Sequence, residues 1–157
     1  MKLTTLNPQL HEIIAHARDR EYMSGIDRNH SRVKATQEVF TPTELVQEVL
    51  DQLPQEIFKD PTKTFCDPSC GDGQFLSEVL IRKIENGIDF ETALSTIYGV
   101  ELMLDNVELC RDRLLCGQEH LRHIVEKTIV QANSLEYNYR FGEPETFGPG
   151  GMIEVIT

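Results

Sequence analysis

Apolar and polar positions alternate along this chain with two periods, and the periods change at short intervals. In "FTPTELVQEVLDQL" (40–53), Leu45, Val46, Val49 and Leu50 fall on one face, which predicts a helix. Thr41 and Glu44 stand there at capping-box spacing, with Pro42 in the first turn. "QFLSEVLIRKIENG" (74–87) reads as an amphipathic helix stopped by Gly87, and "LDNVELCRDRLLCG" (104–117) as the next, followed by a shorter one over 118–127. "NPQLHEIIAHARDREYM" (7–23) predicts an N-terminal helix with Asn7 as its cap and Pro8 at its first position. Asp89 is placed to cap a short helix, "FETALSTI". Between these lie brief apolar runs that read as strands: "KTFCD" (63–67), "IYGVE" (97–101), "TIVQA" (128–132) and "MIEVIT" (152–157). Residues 24–38 form a polar, mildly basic connector, and 141–151 a loop rich in Gly and Pro.

Strands alternating with helices at this spacing imply βαβ units, hence an α/β fold with a parallel sheet covered on its faces. Ligands of such sheets lie at the carboxyl ends of the strands. The polar features of interest fall there: Asp67 ends the first strand, Glu101 the second, and Asn133 follows the third.

Length and charge narrow the function. The 157 residues fit one domain with a real core. Lys and Arg number 15 against 26 Asp and Glu, a net charge of −11, which argues against strong duplex binding by these residues alone. No run approaches the roughly 18 apolar residues of a membrane span, and no signal peptide is visible, so the expected location is the cytoplasm. Cys66, Cys70, Cys110 and Cys116 lack the usual zinc or redox spacing and read as reduced thiols. His120 and His123 share a helix face without further ligands nearby, so no metal is expected.

The loop "FCDPSCGDGQFL" (65–76) carries the sharpest chemistry. Gly71 and Gly73 let the backbone turn tightly and approach a ligand. No Lys-Ser/Thr follows, so it is not a phosphate cradle of the GxxxxGK[ST] kind, and the third glycine of a dinucleotide fingerprint is missing. Asp67 would repel a pyrophosphate but suits a cationic or amine-bearing ligand. A plain Gly-rich turn between strand and helix is the competing explanation for the loop taken alone. Glu101 is placed to accept from two ribose hydroxyls, and Asn133 to pair with an adenine edge. A solvated carboxylate and an ordinary turn residue are their plain alternatives. Together the three describe a nucleoside with an amino-acid-like tail, the shape of S-adenosyl-L-methionine.

These residues resemble the amino-group DNA methyltransferases of the N6-adenine kind, in the subgroup whose FTP element comes first. Phe40-Thr41-Pro42 stands for that element, Asp67-Pro68-Ser69-Cys70-Gly71-Asp72-Gly73 for the D-P-x-C-G-x-G loop, "YGVEL" (98–102) and "ANSL" (132–135) for the next two motifs. The resemblance spans roughly residues 39–135 and rests on their order. It implies a Rossmann-like methyltransferase fold with an incomplete parallel sheet, residues 39–157 forming the cofactor-binding domain behind an N-terminal helical extension, the helix and polar connector of residues 1–38. It further implies that Thr41 and its turn, with Phe40 and Pro42, meet the methionine carboxylate. Asp67, Pro68, Cys70, Gly71 and Gly73 would surround the methionine portion. Glu101 would hold the ribose, Leu102 would lie against the adenine, and Asn133 with Ser134 would meet its N6 edge, where the family more often has Asp.

The family's (D/N)PP(Y/F) catalytic loop is not in this sequence; "NPQL" at Asn7 has only its first two letters. Ile153, Glu154, Val155 and Ile156 resemble the strand that leads into that loop. The expectation is therefore the cofactor half of a site-specific adenine methyltransferase of the restriction–modification kind, with no catalytic residue of its own and with DNA reached only through a partner or further domain. An apolar edge at residues 153–156 invites a second copy or a partner chain. Two other readings stay open: a non-catalytic acidic module that sequesters cofactor or blocks a DNA-acting enzyme, and a small-molecule methyltransferase.

Overall fold

The structure is a computed structural model. It describes the backbone of residues 3–19, 41–143 and 154–155, and the side chains of residues 10–19 and 41–143. Helix α1 (Leu3–Ala17) is followed by α2 (Thr43–Asp51), a short 3-10 turn (Gln55–Phe58), β1 (Phe65–Asp67), α3 (Gln74–Glu85) and α4 (Phe90–Ser95). Next come β2 (Ile97–Glu101), α5 (Leu104–Leu115), a 3-10 turn (Glu119–Leu121), α6 (Arg122–Thr128), β3 (Ile129–Gln131) and β4 (Glu154–Val155).

The strands form one parallel sheet in the order β3-β2-β1-β4. Register sets Asp67 beside Gly99 and Glu101 beside Gln131, so the two acids finish neighbouring strands. Alternation along the strands divides the sheet's faces. Phe65, Ile97 and Ile129 enter the main core, with Leu76, Val79 and Leu80 from α3 and Val107, Cys110, Leu114 and Leu115 from α5. Cys66 and Val100 join a smaller cluster with Phe141, against which Tyr98, Val130, Tyr137 and Tyr139 pack. Each fully buried Leu or Phe in the larger core contributes about 1.5–3 kcal/mol, so the helix-covered face carries most of the stabilisation.

The strands and helices lie where the hydrophobic pattern puts them, and Asp89 caps α4, its Oδ2 accepting from the Thr92 N–H at 3.0 Å. Gly87 takes φ +90° just beyond α3, as a helix stop requires. Two helix starts differ from the sequence signals. α1 begins at Leu3, so Asn7-Pro8 lies inside the helix instead of capping it; what anchors α1 is downstream, where Ile13 and Ala17 are buried. α2 begins at Thr43 with Pro42 as its cap residue and no side-chain cap, which leaves Thr41 one position too early to form the expected box with Glu44. Residues 20–23 of the expected first helix and the whole 24–38 connector lie outside the described residues.

Candidate functional site

β1 runs directly into the glycine loop. Asp67 Oδ1 accepts from the Ser69 N–H at 3.0 Å, which starts the turn. The Cys70 N–H donates to the Val100 carbonyl at 3.0 Å, fastening the loop to β2, and the Gly73 N–H closes on the Cys70 carbonyl at 2.9 Å. Gly71 and Gly73 have φ +55° and +101°, left-handed values that side chains resist. A Cβ on Gly73 would also stand 3.1 Å from Cys110 Sγ. Gly99 matters for a different reason: a Cβ there would lie 2.8 Å from Cys70 Sγ and 2.9 Å from Leu76 Cδ1, so the loop packs into space that only glycine leaves. The Cys70 thiol is buried, and its hydrogen bond with Cys110, together with burial, holds its pKa well above that of an ordinary thiol. It packs the loop and is a poor nucleophile.

The acids beside the loop are the electrostatic centre. Asp67 is 7% exposed and Glu101 8%. Burial pushes the Asp67 carboxyl up to about 6; the Ser69 N–H pulls it down in part, and the Glu101 charge adds to the rise. Glu101 Oε2 accepts from the Met103 N–H at 2.8 Å and from Asn106 Nδ2 at 3.2 Å. Both bonds fall on one oxygen, and among the described residues none is made to Oε1. Asn106, in the first turn of α5 and 1% exposed, aims the carboxylate. Nothing in the hydrophobic pattern singles out Asn106; its signal is a polar residue at i+5 from a strand-end acid, on a helix's inner face.

The remaining expected residues are less tightly gathered. Pro68 is half-buried in the turn after Asp67. Leu102 is exposed beyond β2, and its carbonyl accepts from Gln131 Nε2 at 3.2 Å. Asn133 is exposed two residues past β3, and its Oδ1 accepts from the Leu135 N–H at 3.0 Å, so one lone pair of that oxygen is already engaged. The Ser134 carbonyl accepts from Tyr139 Oη at 2.8 Å. Thr41, half-buried, and Pro42, exposed, lead into α2, which packs on α3; among the described residues no hydrogen bond or ion pair joins them to the loop or to Glu101. Phe40 lies outside the described residues. Among the described residues, no three His, Cys, Asp or Glu side chains could together hold a metal ion. No helix among them is long and apolar enough to cross a membrane.

A buried pair of acids at adjacent strand ends, beside a loop that needs glycine, favours a ligand with positive charge and hydroxyl donors. The family model for N-6 DNA methylases matches residues 21–146. Among curated proteins, the Type II methyltransferase M.VspI of Vibrio sp. (strain 343) is 31% identical over 103 residues, covering 64% of this chain. The matched region is 21% of that relative's length. No solved structure matches the chain significantly. With most of its length inside the family model and its motifs in the family's order, the chain belongs to the N-6 DNA methylase family.

Proposed function

We propose that the carboxyl end of this sheet binds S-adenosyl-L-methionine for methylation of adenine N6 in DNA. The observation that carries the proposal is the pair Asp67 and Glu101: two buried carboxylates, each with one oxygen spent on a neighbouring N–H and one oxygen not engaged in any described contact. The Asp67 carboxylate in particular is costly to keep ionised in its buried place unless positive charge or hydroxyl donors meet it. The donor offers both, an α-ammonium with a sulfonium near Asp67 and two ribose hydroxyls for Glu101. When bound it supplies an electrophilic methyl group.

In this reading the chain's own residues bind and orient. Gly71 and Gly73 let the backbone run close to the methionine portion, and Asn106 fixes the Glu101 rotamer before the ribose arrives. Leu102 offers apolar surface to the adenine, and Asn133 and Ser134 flank its N6 edge. Thr41, with Phe40 and Pro42, would approach the carboxylate end. The fold is then the Rossmann-like methyltransferase type, with residues 39–157 as its donor-binding unit. A (D/N)PP(Y/F) element for the acceptor base, and the surface that reads DNA, would come from another segment or chain; the outer edge of β4 is the proposed meeting place, next to β1.

Isothermal titration of the full chain with S-adenosyl-L-methionine, against NAD and ATP, tests the proposal. Selective binding is expected, and Glu101→Ala should weaken it about 10- to 150-fold, the worth of a charge-assisted hydrogen bond. Equal affinity in a folded Glu101→Ala chain would remove the ribose assignment.

A further inference from the structure

The glycine loop is held from behind by an arginine that the sequence gives no reason to single out. Arg113, on α5, is 6% exposed. Its Nε donates to the Asp72 carbonyl at 2.9 Å, in the middle of the loop. Its Nη1 donates to the Ala17 carbonyl at 3.2 Å and the Asp19 carbonyl at 2.6 Å, at the carboxyl end of α1. Nη2 lies 3.9 Å from Asp72 Oδ2. Its Cδ sits 3.6 Å from where a Gly73 Cβ would be, so the aliphatic stem packs under the loop while the guanidinium spans it.

Carbonyls at the end of a helix have no partners within the helix, and a cation is favoured there. Arg113 uses that property to couple three parts of the chain: α1, α5 and the loop. A planar fork can serve carbonyls in different directions at once, which a lysine ammonium on a flexible stem does less well. The coupling reaches outside the recognised family region, because α1 ends at Ala17 and the family model begins at residue 21.

We infer that Arg113 is a positioning residue for the donor-binding loop, and that α1 is built into the site through it rather than appended to the domain. The inference rests on the donor-binding reading above for its effect on affinity, but not for its effect on the loop. Arg18 provides the control. It joins the end of α1 to α3 by a bidentate pair with the buried Glu78, at 2.9 and 3.0 Å, and among the described residues it makes no hydrogen bond or ion pair with the loop.

The test uses the full chain with Arg113→Met, Arg113→Lys and Arg18→Ala, followed by S-adenosyl-L-methionine titration, thermal melting and amide hydrogen exchange. Both Arg113 variants should weaken the donor about tenfold, the usual scale for losing a residue that orients a binding group. They should also speed exchange at Asp72, Gly73 and Gln74. Arg18→Ala should lower the melting temperature and leave affinity and loop exchange as they were. The inference is overturned if the Arg113 variants melt earlier with unchanged affinity and loop exchange, or if Arg18→Ala changes both equally. Should Arg113→Met fail to fold, Arg113→Lys decides by the same readouts. Should the unaltered chain take up no donor, the functional proposal fails, and loop exchange alone still decides the role of Arg113.

Discussion

Both ends of the sheet bury charge, and they treat it in opposite ways. At the amino end Lys83, wholly buried on α3, donates to the Lys63 carbonyl at 2.6 Å and Thr96 Oγ1 at 2.7 Å, and sits 4.9 Å from the Phe65 ring centre. Two of its three donors end on protein acceptors and the ammonium lies over an aromatic ring, so the charge is held within the core. At the carboxyl end Asp67 and Glu101 are buried almost as deeply, yet each keeps an oxygen that meets no described donor. A buried cation whose donors meet protein acceptors closes a core, whereas buried carboxylates with unengaged oxygens leave acceptors open to a ligand's donors. That contrast, more than burial itself, separates scaffold from site.

Breaking one end should leave the other intact. The largest effect is expected from Gly99→Ala, where the new Cβ meets both Cys70 and Leu76 below contact distance. It should cost about 3 kcal/mol, the upper range for overpacking, and displace the glycine loop. Denaturant melts and donor titration should both change, while Lys83 keeps its partners.

Lys83→Met probes the other end, with a smaller and pH-dependent effect. Burial holds the Lys83 pKa down to about 8, against 10.5 for the free side chain, with the Asp60 charge opposing the shift. The unfolded chain therefore binds the extra proton between these values, so the folded state pays for the charge below pH 8 and is relieved as pH rises to 10.5. Relative to Lys83→Met, the unaltered chain should gain about 2 kcal/mol across that window, the shift being discounted for screening. Donor affinity at pH 7 should not change. A loss of affinity would mean that the two ends are not independent.

Much of this arrangement was legible in the sequence because it is local. A short apolar run ending in an acid, then Gly-x-Gly, gives strand, turn and helix in order, and Glu101 was placed by the run before it. The FTP-side details failed because a capping signal is only a spacing: Thr41 and Glu44 satisfy the spacing while α2 starts one residue later. Asn106 and Arg113 were invisible for a deeper reason. Polar residues on α5 read as a solvated face, and nothing local distinguishes Arg113 from Arg111, which is bonded to the Ile129 carbonyl instead. Arg113 is defined by partners 41 and 96 residues away, at Asp72 and Ala17, which only the fold brings together.

The central claim, that the acids at the carboxyl end await a cationic nucleoside, is tested most directly at Asp67. Burial and the Glu101 charge raise its pKa to about 6. A raised carboxyl stabilises the fold fully below the unfolded value of 3.8, and that contribution is lost as pH climbs through 6. Positive charge from the donor should reverse this, favouring the carboxylate and making binding tighten as pH rises toward 6. Carbon-13 NMR of the labelled Asp67 carboxyl, titrated with and without S-adenosyl-L-methionine, reads the effect at the atom concerned. The expected result is a midpoint near 6 in the free chain that falls by one unit or more, roughly the effect of a nearby opposite charge, when the donor is present. A midpoint that the donor leaves in place would contradict the assignment of this site.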